Sequence, residues 1–287
     1  MNEPRDHHYV PQFYLRNFAS DSAKRKISTV AKNGHLAIWS QRSIERMGFE
    51  RDLYVHTRKG VPVSVETRIG QDIETPISRS ETWDKIMNGH AEALDASDKP
   101  VLYALFRHLE ARTPHAFQTM MELAAASSDP ENRMRFTDEE RSLYARFLAD
   151  PEWARAFFNM RSSSMEWAIG NYHCARIRVY RSPIPVKSSS TPVYTMGLPH
   201  HERLRLPLPG MVPYQLVLPL NPTTVATLVY ADFEEGFRNI EIPVEVALGF
   251  NRNRVGTFAF FDAIRHLVTS RDQLIDDMTA VRPCRGH

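Results

Sequence analysis

Apolar and polar positions along this chain change period twice, and those changes divide it into three stretches. In the first, Tyr14, Leu15 and Phe18 recur at helical spacing behind Pro11. Proline suits the first position of a helix, because its fixed φ fits and its missing N–H costs nothing there, so a short helix is predicted. Lys26 to Val30 and Leu36 to Trp39 then flank Lys32-Asn33-Gly34, and Asn-Gly between β-prone runs predicts a two-stranded hairpin. Asp52 to Val55 reads as a short strand before a Lys59-Gly60 turn.

The second stretch is helical. Val65, Ile69, Ile73, Ile77, Ile86 and Met87 follow helical spacing with an interruption near Pro76, predicting two helices or one kinked helix. Ser97 or Asp98 can cap the next helix, whose apolar face is Val101, Leu102, Leu105, Phe106 and Leu109. Thr113 precedes a proline and is pushed away from the α region, so Arg112-Thr113-Pro114 is a break before Phe117, Met120, Met121 and Leu123 resume the pattern. Thr137 with Glu140 forms a capping box, and Asp150-Pro151 opens a helix expected to run to Gly170.

At His173 the period becomes two, with Ala175, Ile177 and Val179 alternating against Arg176, Arg178 and Tyr180. Short runs at Pro192 to Met196, Tyr214 to Leu220 and Thr224 to Tyr230 extend this into a small antiparallel sheet, and Val244 to Ile264 reads as a final helix. An isolated hairpin is marginal in water, so the Lys26 to Trp39 hairpin should join the late strands in one sheet. The expected fold is α+β: one domain over 1–287, with a β-rich lobe from 1–64 plus 171–287 around an inserted helical bundle at 65–170.

Composition narrows the function classes. The 287 residues are 42% hydrophobic and 24% charged, enough for a sizeable core, and the net charge of +2 gives no global field for nucleic acid. The segment from Arg5 to Arg68 is nevertheless rich in Lys and Arg, so a local basic face is open. Cys174 and Cys284 cannot make a disulfide framework or a cysteine zinc site, which fits a reducing cytoplasm. No apolar run approaches the roughly 20 residues of a membrane span, and no signal-peptide core follows Met1. The chain does not set an oligomeric state.

Candidate chemistry starts with His7 and His8, which precede the predicted helix where free N–H groups would favour an anion; the competing reading is that they bond neighbouring backbone. Arg112 at the proline break could clamp phosphate through its bidentate fork, with His108 one turn before it. Glu66 and Glu74 are eight residues apart, close to two turns, so both carboxylates could face one way, although a solvated helix face would show the same spacing. Asp6-His7-His8 before a proline is similar in outline to the histidine stretch of metal nucleases. The hairpin comes after the helix here, and no second-helix ligand is found, so that specific fold is excluded. No Gly-rich phosphate loop, dinucleotide fingerprint or serine elbow occurs.

The pattern H-x-V-P-x-x-Y-L-x-x-F at His8, Val10, Pro11, Tyr14, Leu15 and Phe18 resembles the opening of the bacterial domain-of-unknown-function family 4238. Arg112-Thr113-Pro114 and Asn251-Arg252-Asn253 resemble two later elements of that family, while Ser190-Thr191-Pro192-Val193 stands in its Ser-Asp-x-Pro place without the aspartate. The resemblance implies no assigned chemistry, and for some members it implies an association with phage defence. Two function classes follow. One is an enzyme acting on phosphodiesters or nucleotides, with His8, Glu66 and Glu74 catalytic and His7, Tyr14, Arg112 and Asn251 holding the ligand; its cofactor is unspecified, a divalent metal being one such chemistry would admit. The other is a non-catalytic ligand-sensing or protein-interaction module.

Overall fold

A computed structural model describes residues 5–33, 36–89, 91–165, 172–197, 214–230, 236–260 and 264–269. The chain folds as an α+β protein. It opens with β1 (Asp6–His8) and the single turn α1 (Gln12–Leu15), which tightens into a 3-10 turn at Arg16–Phe18. The hairpin β2 (Lys26–Asn33) and β3 (Leu36–Ser43) pairs in register from Lys26 opposite Ser43 to Asn33 opposite Leu36; its Gly34 turn lies outside the described residues. β4 (Phe49–Arg51) returns to pair with β1, setting His7 opposite Glu50 and His8 opposite Phe49. The strand expected at Asp52 to Val55 is corrected: Asp52 has φ +56°, a left-handed conformation that Asp tolerates, and it turns the chain. The strand begins only at Val55, where β5 (Val55–Arg58) and β6 (Val61–Ser64) form a hairpin across Lys59 and Gly60, both at positive φ.

The helical stretch starts with α2 (Glu66–Ile69), a π turn at Gly70–Glu74 and α3 (Thr75–Ser78) in direct succession. The expected break near Pro76 is absorbed by the π turn. Pro76 has no N–H to give the preceding turn, and i→i+5 bonding accommodates that without ending the helix. The stop comes at Ser80, whose Oγ accepts the Trp83 N–H at 3.1 Å and caps α4 (Glu81–Met87). There follow α5 (Lys99–Ala111), α6 (Pro114–Ser127), α7 (Asp138–Ala149) and α8 (Pro151–Ser162). Thr113 caps α6 and Thr137 with Glu140 closes a capping box on α7. α8 ends at Ser162, before the expected stop, and Gly170 lies outside the described residues.

After a turn at Tyr172–Cys174 come β7 (Arg176–Arg181), β8 (Ser188–Ser189), β9 (Tyr194–Gly197), β10 (Tyr214–Asn221), β11 (Thr224–Val229), β12 (Gly236–Glu241), α9 (Val244–Phe260) and β13 (His266–Val268). The single sheet expected is instead two main ones. A five-stranded sheet has order β12-β7-β11-β10-β9, with β12 parallel to β7 and the rest antiparallel. The early hairpin joins late strands, but only β13 and β8, in a separate sheet of order β3-β2-β13-β8.

The separation is physical, because α9 packs into both sheets. Phe250 and Ala247 cluster with Val217 and Val225 of the larger one, while Val255 and Phe258 cluster with Val30 and Leu267 of the smaller. The largest core cluster runs from Tyr9, Tyr14 and Leu15 through Ile69, Leu105 and Phe158 to Ile177 and Leu228, joining the opening segment, the helices and one face of the five-stranded sheet. Among the described residues, no helix is long and apolar enough to cross a membrane.

Candidate functional site

The opening segment is fixed by one glycine. Gly48, at φ +62°, turns its carbonyl to accept the N–H groups of both Tyr9 and Val10, at 2.7 and 3.0 Å. A Cβ there would stand 2.7 Å from the Val10 Cβ, so only glycine lets the strands approach this closely. This contact brings His8 into the wall of a cleft of about 320 Å³, which Gln12, Glu66, Gln71 and Glu74 also line.

The π turn aligns the two glutamates. One α turn takes about 3.6 residues, and a turn closed by i→i+5 bonds holds about one residue more, so eight residues make two turns and Glu66 and Glu74 line the same cleft.

Their surroundings then separate them. Glu66 Oε1 accepts the His8 backbone N–H at 3.2 Å, while Oε2 is buried with no hydrogen-bond partner. Burial raises the Glu66 pKa, and the charge of Glu74 adds to the rise; Arg112 and the His8 N–H offset it only in part. For Glu74 burial acts in the same upward direction, but the ion pair with Arg112 and the hydrogen bond from its guanidinium, with His108 packed beside them, outweigh it and hold the carboxyl at about 2. The two carboxyls, side by side in one cleft, are thus shifted in opposite directions.

Arg112 is the centre of this arrangement and is fully buried at 0% exposure. Nη1 donates to Glu74 Oε1 and to His108 Nε2, Nη2 to the His8 carbonyl, and Nε to the Tyr54 hydroxyl at 3.1 Å. The Tyr54 hydroxyl in turn donates to the Arg112 carbonyl at 2.6 Å. His108 must present a lone pair to Arg112, and burial together with that positive neighbour lowers its pKa to about 4, so it stays neutral. The expectation that Arg112 clamps a phosphate is therefore corrected: its fork faces inward onto protein acceptors, and it does not line the cleft.

The remaining candidates fall elsewhere. His7 is buried at 0% exposure, its Nδ1 accepting the Tyr54 N–H at 2.9 Å and its ring stacked on Tyr54 at 5.7 Å. The anion site expected before the first helix is not formed, because His7 and His8 belong to a paired strand and α1 is a single turn. Tyr14 donates to the Pro219 carbonyl at 2.7 Å and bonds Ser188 Oγ at 2.8 Å, tying the opening segment to both sheets. Asn251 accepts the Lys187 N–H at 2.9 Å and donates to the Pro185 carbonyl at 3.0 Å, fastening α9 to the segment before β8. Both side chains are interior braces rather than cleft residues.

His8 Nε2 lies 3.1 Å from the Glu45 carbonyl, to which it donates, and 3.4 Å from the Gln12 amide nitrogen. Gln12, Thr67 and Gln71 in the cleft wall were not anticipated; they are polar residues in amphipathic segments and carry no signal in the sequence. Among the described residues, no group of three or more His, Cys, Asp or Glu side chains is arranged to hold a metal.

The chain belongs to the family described as protein of unknown function (DUF4238), whose model matches residues 6–256 and so includes every residue of the cleft. No curated protein and no solved structure gives a significant match.

Proposed function

We propose that the cleft is a general acid–base site acting on a nucleotide or a similarly polar, hydroxyl-bearing substrate, with Glu66 carrying the proton. The observation that carries the reading is the pair of glutamates on one helix, in one cleft, whose carboxyl pKa values are shifted in opposite directions, Glu66 upward by burial and Glu74 downward by Arg112. Paired carboxyls whose environments separate their pKa values divide naturally into an acid and an ionised partner. Glu66 Oε2 has no hydrogen-bond partner within the protein, so it is the oxygen assigned the proton. Gln12, Thr67 and Gln71 supply donors and acceptors suited to a sugar or base.

A phosphate is the less matched end of such a substrate. The cleft wall carries the ionised Glu74 beside Glu66, and Arg112 is already engaged, so a phosphodiester would have to bring a divalent counter-ion with it. An enzyme altering nucleotides would suit the association with phage defence that the family resemblance implies for some members.

A second reading, ligand binding without turnover, is favoured by His8: Nε2 is held on the Glu45 carbonyl, which makes the imidazole a brace rather than a base. Incubating the purified protein with nucleosides, nucleotides and oligonucleotides and resolving products by chromatography separates the two. On the first reading, Glu66→Gln lowers turnover by roughly 10²-fold or more with an unchanged circular dichroism spectrum. Binding with no turnover in the wild type supports the second reading, and neither binding nor turnover contradicts both.

A further inference from the structure

A second and larger cavity, of about 730 Å³, lies between helices α6, α7 and α8 on one side and β9, β10 and α9 on the other. It shares no lining residue with the Glu66 cleft. Much of its wall is apolar, with Met120, Leu143, Phe147, Val193 and Leu216 facing it, and its volume falls in the roughly 300–1,000 Å³ range of small-molecule sites.

Set into that wall is Arg254, at 1% exposure. Its Nη2 donates to Ser189 Oγ and, at 2.6 Å, to the Thr191 carbonyl, and the guanidinium lies 4.8 Å from the centre of the Tyr194 ring. Nε and Nη1 have no hydrogen-bond partner, and neither does Thr191 Oγ1 beside them. Among the described residues no carboxylate pairs with Arg254. Glu110, which also lines the cavity, is taken by Arg107, and the cavity has a second cation in Arg161. A buried guanidinium with unused donors and no counter-charge is costly, and shielding from bulk water strengthens whatever anion it meets.

We propose that this cavity binds a small anionic molecule with an apolar body, its carboxylate or phosphate oxygens taking the unused donors of Arg254 and the Thr191 hydroxyl while the body packs on the Phe147 side. Isothermal titration of the full chain with decanoate, decyl phosphate and decanol tests it. The expected result is saturable binding of at least one anion, at least tenfold tighter than decanol, and the better anion identifies the head group. Arg254→Met should reduce anion affinity to that of decanol. Should that variant fail to fold, Ala116→Phe, which narrows the cavity and leaves Arg254 in place, should abolish anion binding. Equal affinity for decanol and the anions, no binding of any probe, or anion binding retained in Ala116→Phe overturns the proposal.

Discussion

Arg112 donates from its guanidinium to the backbone carbonyl of His8, 104 positions earlier in the chain. The same side chain closes an ion pair with Glu74. One buried cation therefore fixes the opening strand, the glutamate helix and the end of α5 relative to one another, and it sets the charge of the cleft without lining it. The first prediction concerns its removal. Arg112→Met leaves Glu74 without its cation and the His8 carbonyl without a donor, and breaking a buried pair in this way costs about 3–5 kcal/mol. Urea denaturation should show a midpoint lowered accordingly. Because Glu74 is then no longer held ionised, Glu74→Gln in the Arg112→Met background should cost less than in the wild type, which a double-mutant cycle measures.

A second prediction concerns acid stability. His108 has a folded pKa of about 4 against an ordinary 6.5, so the unfolded chain takes up its proton first, and the stability contributed by keeping it neutral is lost as pH falls from about 6.5 towards 4. Glu74 has a folded pKa of about 2 against 4.5, so its contribution is present above 4.5 and lost as pH falls from there towards 2. Glu66, whose pKa is raised, works in the opposite direction and regains part of the loss on protonation. The net expectation is a denaturation midpoint that declines on acidification from pH 6.5. A midpoint flat between pH 7 and 4.5 would contradict the neutral, buried His108.

The opening motif carries a third prediction. Leu15 and Phe18 are buried at 1% and 8% exposure within the main core. Truncating either to Ala should cost about 2–5 kcal/mol. An unchanged melting temperature in both variants would mean that the segment is not packed as described.

Gly48 provides a fourth. Alanine there must adopt φ +62° and bring a methyl to 2.7 Å from Val10. Strain of that kind costs on the order of 1–3 kcal/mol, and it falls on the bonds that hold Tyr9 and Val10. Gly48→Ala should lower the melting temperature and weaken any ligand affinity of the Glu66 cleft together, whereas Gly60→Ala, where an added Cβ meets nothing within 4 Å, should leave that affinity intact.

How far these features could be read in advance depended on how local they are. The Asn33-Gly34 hairpin, the Thr137 capping box and the switch to strands after His173 are set by residues close in sequence, and the chain folds accordingly at β2–β3, α7 and β7. Which strands the hairpin would meet was not legible, because pairing β2 with β13 depends on where α9 packs, more than 200 residues away. The eight-residue interval between Glu66 and Glu74 pointed to a shared face, but the π turn that produces it has no signature beyond Pro76. Arg112, at the end of an apolar helix and beside a proline break, read as a clamp for a phosphate. Its inward direction is dictated by Tyr54, Glu74 and the His8 carbonyl, none of which lies near it in sequence.

¹³C NMR titration of the carboxyl carbons in glutamate-labelled protein measures the split between the two glutamates directly, with Glu66→Gln and Glu74→Gln assigning the two signals. Glu66 should titrate above the ordinary value of 4.5 and Glu74 well below it, near 2. Two carboxyls titrating together near 4.5, or Glu74 above Glu66, would contradict it.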